Sequence, residues 1–123
     1  MKSKYLREIN CEYDYDDDER NQIFEAEKSE YGFASYDTWN IDISFFEFIY
    51  IIFKMYDEKN IIDTHSVRLN INDKEWDLQE IIDYIINSCE EYLIFRKENF
   101  LEYKKIPDDF FEILKKALPY MWW

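Results

Sequence analysis

The chain has 123 residues but only one glycine, two prolines, two cysteines and one histidine. Each scarcity excludes something. With Gly32 alone there is no glycine-rich loop to wrap a phosphate, and no glycine to build an oxyanion hole. Sandwiches and barrels need frequent special turns, so the shortage of Gly and Pro argues against many short strands. Cys11 and Cys89 match neither a disulfide framework nor a zinc-ligand pattern, and reduced thiols in a cytoplasm are expected. His65 lies in the stretch DTHSVR, beside Asp63 and Ser66. No nucleophile motif accompanies it, and an ordinary loop histidine is the plainer reading. No catalytic residue, metal ligand or cofactor is expected.

Basic residues are also in deficit. There are 15 Lys and Arg against 28 Asp and Glu, for a net charge of −13. The imbalance runs the whole length: 11 acids to 5 bases over residues 1–40, 6 to 3 over 41–73, and 11 to 7 over 74–123. Phosphate contacts need Lys or Arg, so direct binding to nucleic acid is disfavoured. A basic partner is favoured instead, and acidity speeds such an encounter. The opening MKSKYLREIN lacks the apolar run of a signal peptide. The most apolar stretch, 41–56, is interrupted by Asp42, Glu47 and Lys54 and is short for a membrane span. A soluble cytoplasmic protein, without membrane contact, is the expectation.

What the chain does have is 47% hydrophobic residues, enough for one core in one domain spanning 1–123. It also has EYDYDDDE, six carboxylates within residues 12–19. Asp14, Asp16, Asp18 and Glu25 fit four ligand positions of a calcium-binding EF-hand. Glu19, however, stands where that loop turns on glycine. The cluster is better read as the start of a helix, with Asp16 or Asp17 as cap and acids in the first turn, where the helix dipole favours them. Tyr13 and Tyr15 interleave with carboxylates just before it, a mixture suited to a basic protein surface. A solvated loop is the plain alternative.

Periodicity predicts helices over 18–30, 42–58, 73–97 and 107–118. Residues 1–12 give no single assignment, although Leu6, Ile9 and Tyr13 have a spacing that allows a short helix. Gly32 suits the left-handed residue that ends the first of the four. The 42–58 segment is apolar nearly all round. Ile43, Phe46, Ile49, Tyr50 and Phe53 make one stripe; Phe45, Phe48, Ile52, Met55 and Tyr56 make another. Such a helix is normally central and surrounded. Asn72 and Glu75 have capping-box spacing before the 73–97 helix. Its polar side carries Asp77, Glu80, Asp83 and Glu90. Residues 59–73 include the alternating HSVRLNIN and are expected to be an extended loop. The expected fold is all-α: a helical bundle around the 42–58 helix.

From Tyr31 to about Phe95 the chain resembles a group of small acidic bacterial and phage proteins. The likeness lies in YGFASYDTWNIDISFFEFI, with Trp39, Asn40, Ile41 and Asp42 at a helix start, and in DKEWDLQEIIDYIINSCEEYL, with Glu75 and Trp76 opening another. The tail FFEILKKALPYMWW is compatible with that group's apolar, Trp-containing terminal helix. The chain departs from it at Ile51, Ile52 and Phe53, where the group often has a Pro-containing segment. The resemblance implies a helical fold and a buried Trp at the capped helix start. In overall character the chain is also similar to immunity proteins of contact-dependent growth inhibition and related toxin systems. That similarity implies a binding protein that blocks a basic toxin domain, such as a nuclease. Expected partner-binding residues are Tyr13, Asp14, Tyr15, Asp16, Asp17, Asp18 and Glu19, then Asp77, Glu80, Asp83 and Glu90. A phage-encoded nucleic-acid mimic, of anti-CRISPR or anti-restriction type, is the alternative use of the same acids.

Overall fold

The computed structural model describes residues 1–11 and 18–122. Its elements are α1 (Lys4–Glu8), α2 (Asp18–Tyr31), a 3-10 turn (Ser35–Thr38), α3 (Ile41–Lys59), strands β1 (Arg68–Ile71) and β2 (Lys74–Asp77), α4 (Leu78–Glu98), α5 (Phe110–Ala117) and a second 3-10 turn (Leu118–Tyr120). Helix dominates, as the shortage of turn residues implies, but the fold is not strictly all-α.

α3 and α4 form the centre. Phe46, Ile49, Tyr50 and Phe53 of α3 are buried with Ile81, Ile82, Ile85, Cys89, Tyr92 and Leu93 of α4. The Phe46 and Tyr92 rings stack at 4.1 Å between centroids, and Phe110 of α5 lies 5.3 Å from Phe46. These three elements therefore share one aromatic cluster, which adds ring-on-ring attraction to the area buried. α5 contributes Ile113, Leu114 and Ala117 to the same core, and α1 contributes Tyr5 and Leu6. The core leaves α3 open on its other side: Ile41, Phe48, Ile52 and Met55 are exposed. The helix is central but not surrounded.

α2 is attached differently. Phe24 is its one buried residue. That ring sits edge-on to Tyr36 at 4.7 Å and to Trp39 at 6.3 Å. Glu27 accepts hydrogen bonds from the Ser35 backbone N–H at 2.9 Å and its hydroxyl at 3.0 Å. The helix ends at Gly32, whose φ of +86° is the left-handed value glycine adopts freely. Trp39 itself is 60% exposed, so the residue expected as a buried Trp at the start of α3 is a surface residue.

Residues 68–77 are a hairpin where an extended loop was expected up to residue 73. Arg68 pairs with Asp77, Leu69 with Trp76, Asn70 with Glu75 and Ile71 with Lys74. The turn residues Asn72 and Asp73 have φ of 53° and 64°. Two successive positive φ values define the type I′ turn, whose twist matches that of the strands. Asn72 is therefore a turn residue, not a helix cap. The hairpin runs straight into α4: Asp77 ends β2 and caps the helix. Its carboxylate accepts from the Glu80 backbone N–H at 2.7 Å, and the Glu80 side chain accepts from the Asp77 N–H at 3.3 Å. The capping box lies five residues beyond the expected one.

Candidate partner-binding surface

α4 brings its acidic residues to one side because they recur at helical spacing. Glu80, Asp83, Glu91 and Glu98, with the neutral Asn87 between them, follow steps of three, four and seven, opposite the buried row of Ile81, Ile82, Ile85, Cys89 and Tyr92. Towards the C-terminal end, Glu90, Glu91 and Glu98 surround Ile94 and Phe95 in an open groove of about 410 Å³. Lys104 enters from the following loop. Its Nζ lies 3.9 Å from Glu91 and 5.9 Å from the Phe95 ring centre. The groove thus holds the chain's own ammonium between a carboxylate and an aromatic face.

The expected site residues divide into three sets. Tyr13, Asp14, Tyr15, Asp16 and Asp17 lie outside the described residues. Asp18 and Glu19 are exposed in the first turn of α2. The chain is helical from Asp18 onward, so the second half of an EF-hand loop ending at Glu25 is not formed. Asp77, Glu80, Asp83 and Glu90 all belong to the α4 region but not to one cluster. Asp77 is 8% exposed and taken up by the cap. Its second oxygen lies 3.3 Å from His65 Nδ1. The Glu80 N–H bond, aided by the neighbouring His65, holds the Asp77 carboxyl below its ordinary pKa of 3.8. Asp83 accepts from Gln79, which also donates to Asp57 of α3. Only Glu90 of the four lines the groove. Glu91 and Glu98 were missed in the sequence reading, although their spacing from Glu80 and Asn87 marks the same face.

The Asp63, His65 and Ser66 group is a turn. Ser66 Oγ donates to Asp63 at 2.6 Å, and the His65 backbone N–H donates to the same carboxylate at 3.2 Å. The His65 ring points instead to Asp77. Ser66 and His65 are not joined in a nucleophile–base pair.

Two further carboxylates, Asp42 half-buried and Glu47 buried, are held by cationic partners. Asp42 faces Arg96, whose exposure is 1%. Arg96 Nε donates to Asp42 at 3.0 Å, and its Nη1 donates to the backbone carbonyls of Phe100 and Glu102 at 2.7 and 2.8 Å. The Tyr92 hydroxyl donates to the same Asp42 oxygen at 2.6 Å. Burial alone would raise the Asp42 carboxyl, but the Tyr92 and Arg96 hydrogen bonds outweigh it and leave the pKa below 3.8. Glu47 behaves oppositely. It and Asp37 each accept from the Met1 amino group at 3.1 Å, yet burial dominates at Glu47 and raises its pKa above 4.5. Cys11 and Cys89 are free and buried, and burial pushes the Cys89 thiol up to about 12.

Fold and surface together define a small helix-dominated protein with an acidic face and a groove suited to a cationic side chain. Among the described residues there is no group of three or more His, Cys, Asp or Glu placed to hold a metal ion, and no helix is long and apolar enough to cross a membrane. Comparison with family profiles, curated proteins and solved structures found no match.

Proposed function

We propose that the protein is a cytoplasmic immunity protein that neutralises a basic toxin domain, a nuclease above all, by covering its active site or substrate groove. The observation that supports this reading is the α4 groove, where three carboxylates surround two apolar side chains beside Lys104. Charge-assisted bonds from a partner's Lys or Arg would form there, next to an apolar anchor point. The EYDYDDDE cluster offers a second acidic patch for the same partner. The net charge of −13 would steer the encounter. No catalytic step and no cofactor enter the proposal.

The proposal requires a toxin gene beside this one, and co-expression of the two products should restore growth. Binding of the purified pair should weaken by about tenfold or more when Glu90, Glu91 and Glu98 are changed together to Gln, an effect expected from losing several charged contacts. A second triple variant, with Asp16, Asp17 and Asp18 changed to Asn, separates the two patches. If both variants bind at full strength from 50 to 500 mM NaCl, neither acidic surface is the interface and the proposal fails. Rescue without any direct complex would also overturn it.

A further inference from the structure

α3 carries two apolar stripes, and the core uses one. The other is formed by Ile41, Phe45, Phe48, Ile52 and Met55. Ile41 is 71% exposed, Met55 54%, Ile52 44% and Phe48 41%. Phe45 is half-buried, edge-on to Phe46 and 5.9 Å from Phe111. The positions advance by alternating steps of four and three, the spacing of a coiled-coil seam. Lys59 takes the next seam position. The stripe runs about 21 Å along the helix, from the rise of 1.5 Å per residue. Phe33 flanks it 6.4 Å from Phe48. Together they border a groove of about 330 Å³ with Asp37, Thr38, Ile41, Ser44 and Phe45. Asp37 is 5% exposed, and its two oxygens are taken by the Met1 amino group and the Ala34 N–H.

We propose that this seam docks on the same seam of a second copy of the chain, with the two α3 helices antiparallel about a two-fold axis that crosses the seam between Phe48 and Ile52. The charge distribution favours an identical copy over a basic partner. Between Ile41 and Met55 the seam positions are all uncharged, in a chain that otherwise averages nearly one acid in four residues. A cationic surface would find no counter-charge along it, whereas an uncharged helix face of equal length would match. The order of residues favours the antiparallel arrangement. A two-fold axis between Phe48 and Ile52 sets Phe45 against the partner's Met55 and Phe48 against the partner's Ile52. Each ring then meets an aliphatic chain, and the layers fill evenly. Ile41 meets the stem of the partner's Lys59, whose ammonium reaches water at the end of the seam. A parallel pair would stack Phe on Phe in two successive layers and bring Lys59 against its own copy. Twofold isologous contacts are the commonest mode of self-association.

The area sets the strength. Seam and flanking rings present on the order of 600 Å² of apolar surface, above what scattered exposed residues supply and below the ~800 Å² per partner of a standard stable interface. Area does not fix affinity, but a patch of this size fits a reversible, concentration-dependent dimer and not an obligate one. Because each copy carries −13, repulsion between the acidic faces opposes it, and salt screens that repulsion.

Sedimentation of the purified full chain from 1 μM to 1 mM tests the proposal. Dimer should form within that range and tighten by about tenfold between 50 and 500 mM NaCl, as expected for screened like charges. Phe48→Glu should abolish it while circular dichroism and the melting curve stay those of a folded chain. Mixing a Phe48→Cys protein with an Ile52→Cys protein under oxidation should give a cross-linked heterodimer that neither forms alone. This outcome is specific to the antiparallel register, because a parallel pair would cross-link each variant with itself. A chain that stays monomeric to 1 mM overturns the proposal, as does a dimer indifferent to Phe48→Glu. Vesicle or foreign-protein binding by a monomer, lost in Phe48→Glu, would assign the stripe to another occupant and overturn it equally. None of these readings requires a toxin, so dimerisation and immunity stand or fall separately.

Discussion

Arg96 joins three chain segments through one guanidinium: Asp42 on α3, its own helix, and the carbonyls of Phe100 and Glu102 beyond it. The Tyr103 ring covers it, with the guanidinium carbon 4.7 Å from the ring centre. Arg96→Ala would leave a carboxylate without its cation and two carbonyls without a donor, a change expected to cost about 3 kcal/mol. The pH dependence carries a signature. Asp42 titrates below its ordinary value when folded, so its contribution is fully present above pH 3.8 and is lost as pH falls through the lower folded value. Glu47 titrates above its ordinary value, so its burial cost is present above the folded pKa and is relieved as pH falls through it. The two trends have opposite signs and separate windows: acidification relieves the Glu47 cost above pH 4.5 and removes the Asp42 contribution below pH 3.8. Arg96→Ala removes the Asp42 trend, so its melting temperature should fall less steeply between pH 4 and 2 than that of the wild type. Melts by circular dichroism at intervals of pH would show this.

At the level of elements, the hairpin turn is suboptimal. Asp73 adopts a left-handed conformation that glycine takes without strain. Asn-Gly is the preferred pair for a type I′ turn. Asp73→Gly should therefore stabilise the protein by about 0.5 kcal/mol, read as a shift in urea midpoint without a change in slope. The same turn shows why sequence reading failed there. Alternation in HSVRLNIN was visible, but its partner, Lys74–Asp77, has just Trp76 as a large apolar residue and looked like the first turn of a helix. Long periodic segments were legible: α3 and α2 begin and end within about one residue of expectation. The outward stripe of α3 was seen as a stripe and assigned to the core, because apolarity reveals burial preference and not which neighbours exist to satisfy it. The acidic face of α4 was half legible. Spacing places Glu80 and Asp83 outward, but it does not show that the loop after α4 folds back to bring Lys104 over Glu91. Nor does it reveal Asp77 as a cap, since that depends on where the hairpin ends.

For the molecule as a whole, charge excess and apolar excess occupy different surfaces. Acids line α4 and begin α2, while the open side of α3 is uncharged from Ile41 to Met55. Surface ion pairs such as Lys105–Asp108 and Lys116–Glu112 join long, solvated side chains and contribute little. Repulsion among the unmatched carboxylates is therefore the larger electrostatic effect on stability. In the Phe48→Glu variant, where self-association is removed, raising NaCl from 20 to 300 mM should raise the melting temperature by about 4 °C. A fall would mean that attractive pairs dominate instead.

The Asp42–Arg96 pair also bears on descent. Lysine cannot replace Arg96, because an ammonium lacks the planar fork that reaches a carboxylate and two carbonyls at once. An outward carboxylate on α4 can become Asn, Gln or Lys without disturbing a buried neighbour. Substitution can thus rewrite the exposed side of α4 while positions 42 and 96 stay fixed. In diverged relatives those two residues should outlast nearly every charge on the surface.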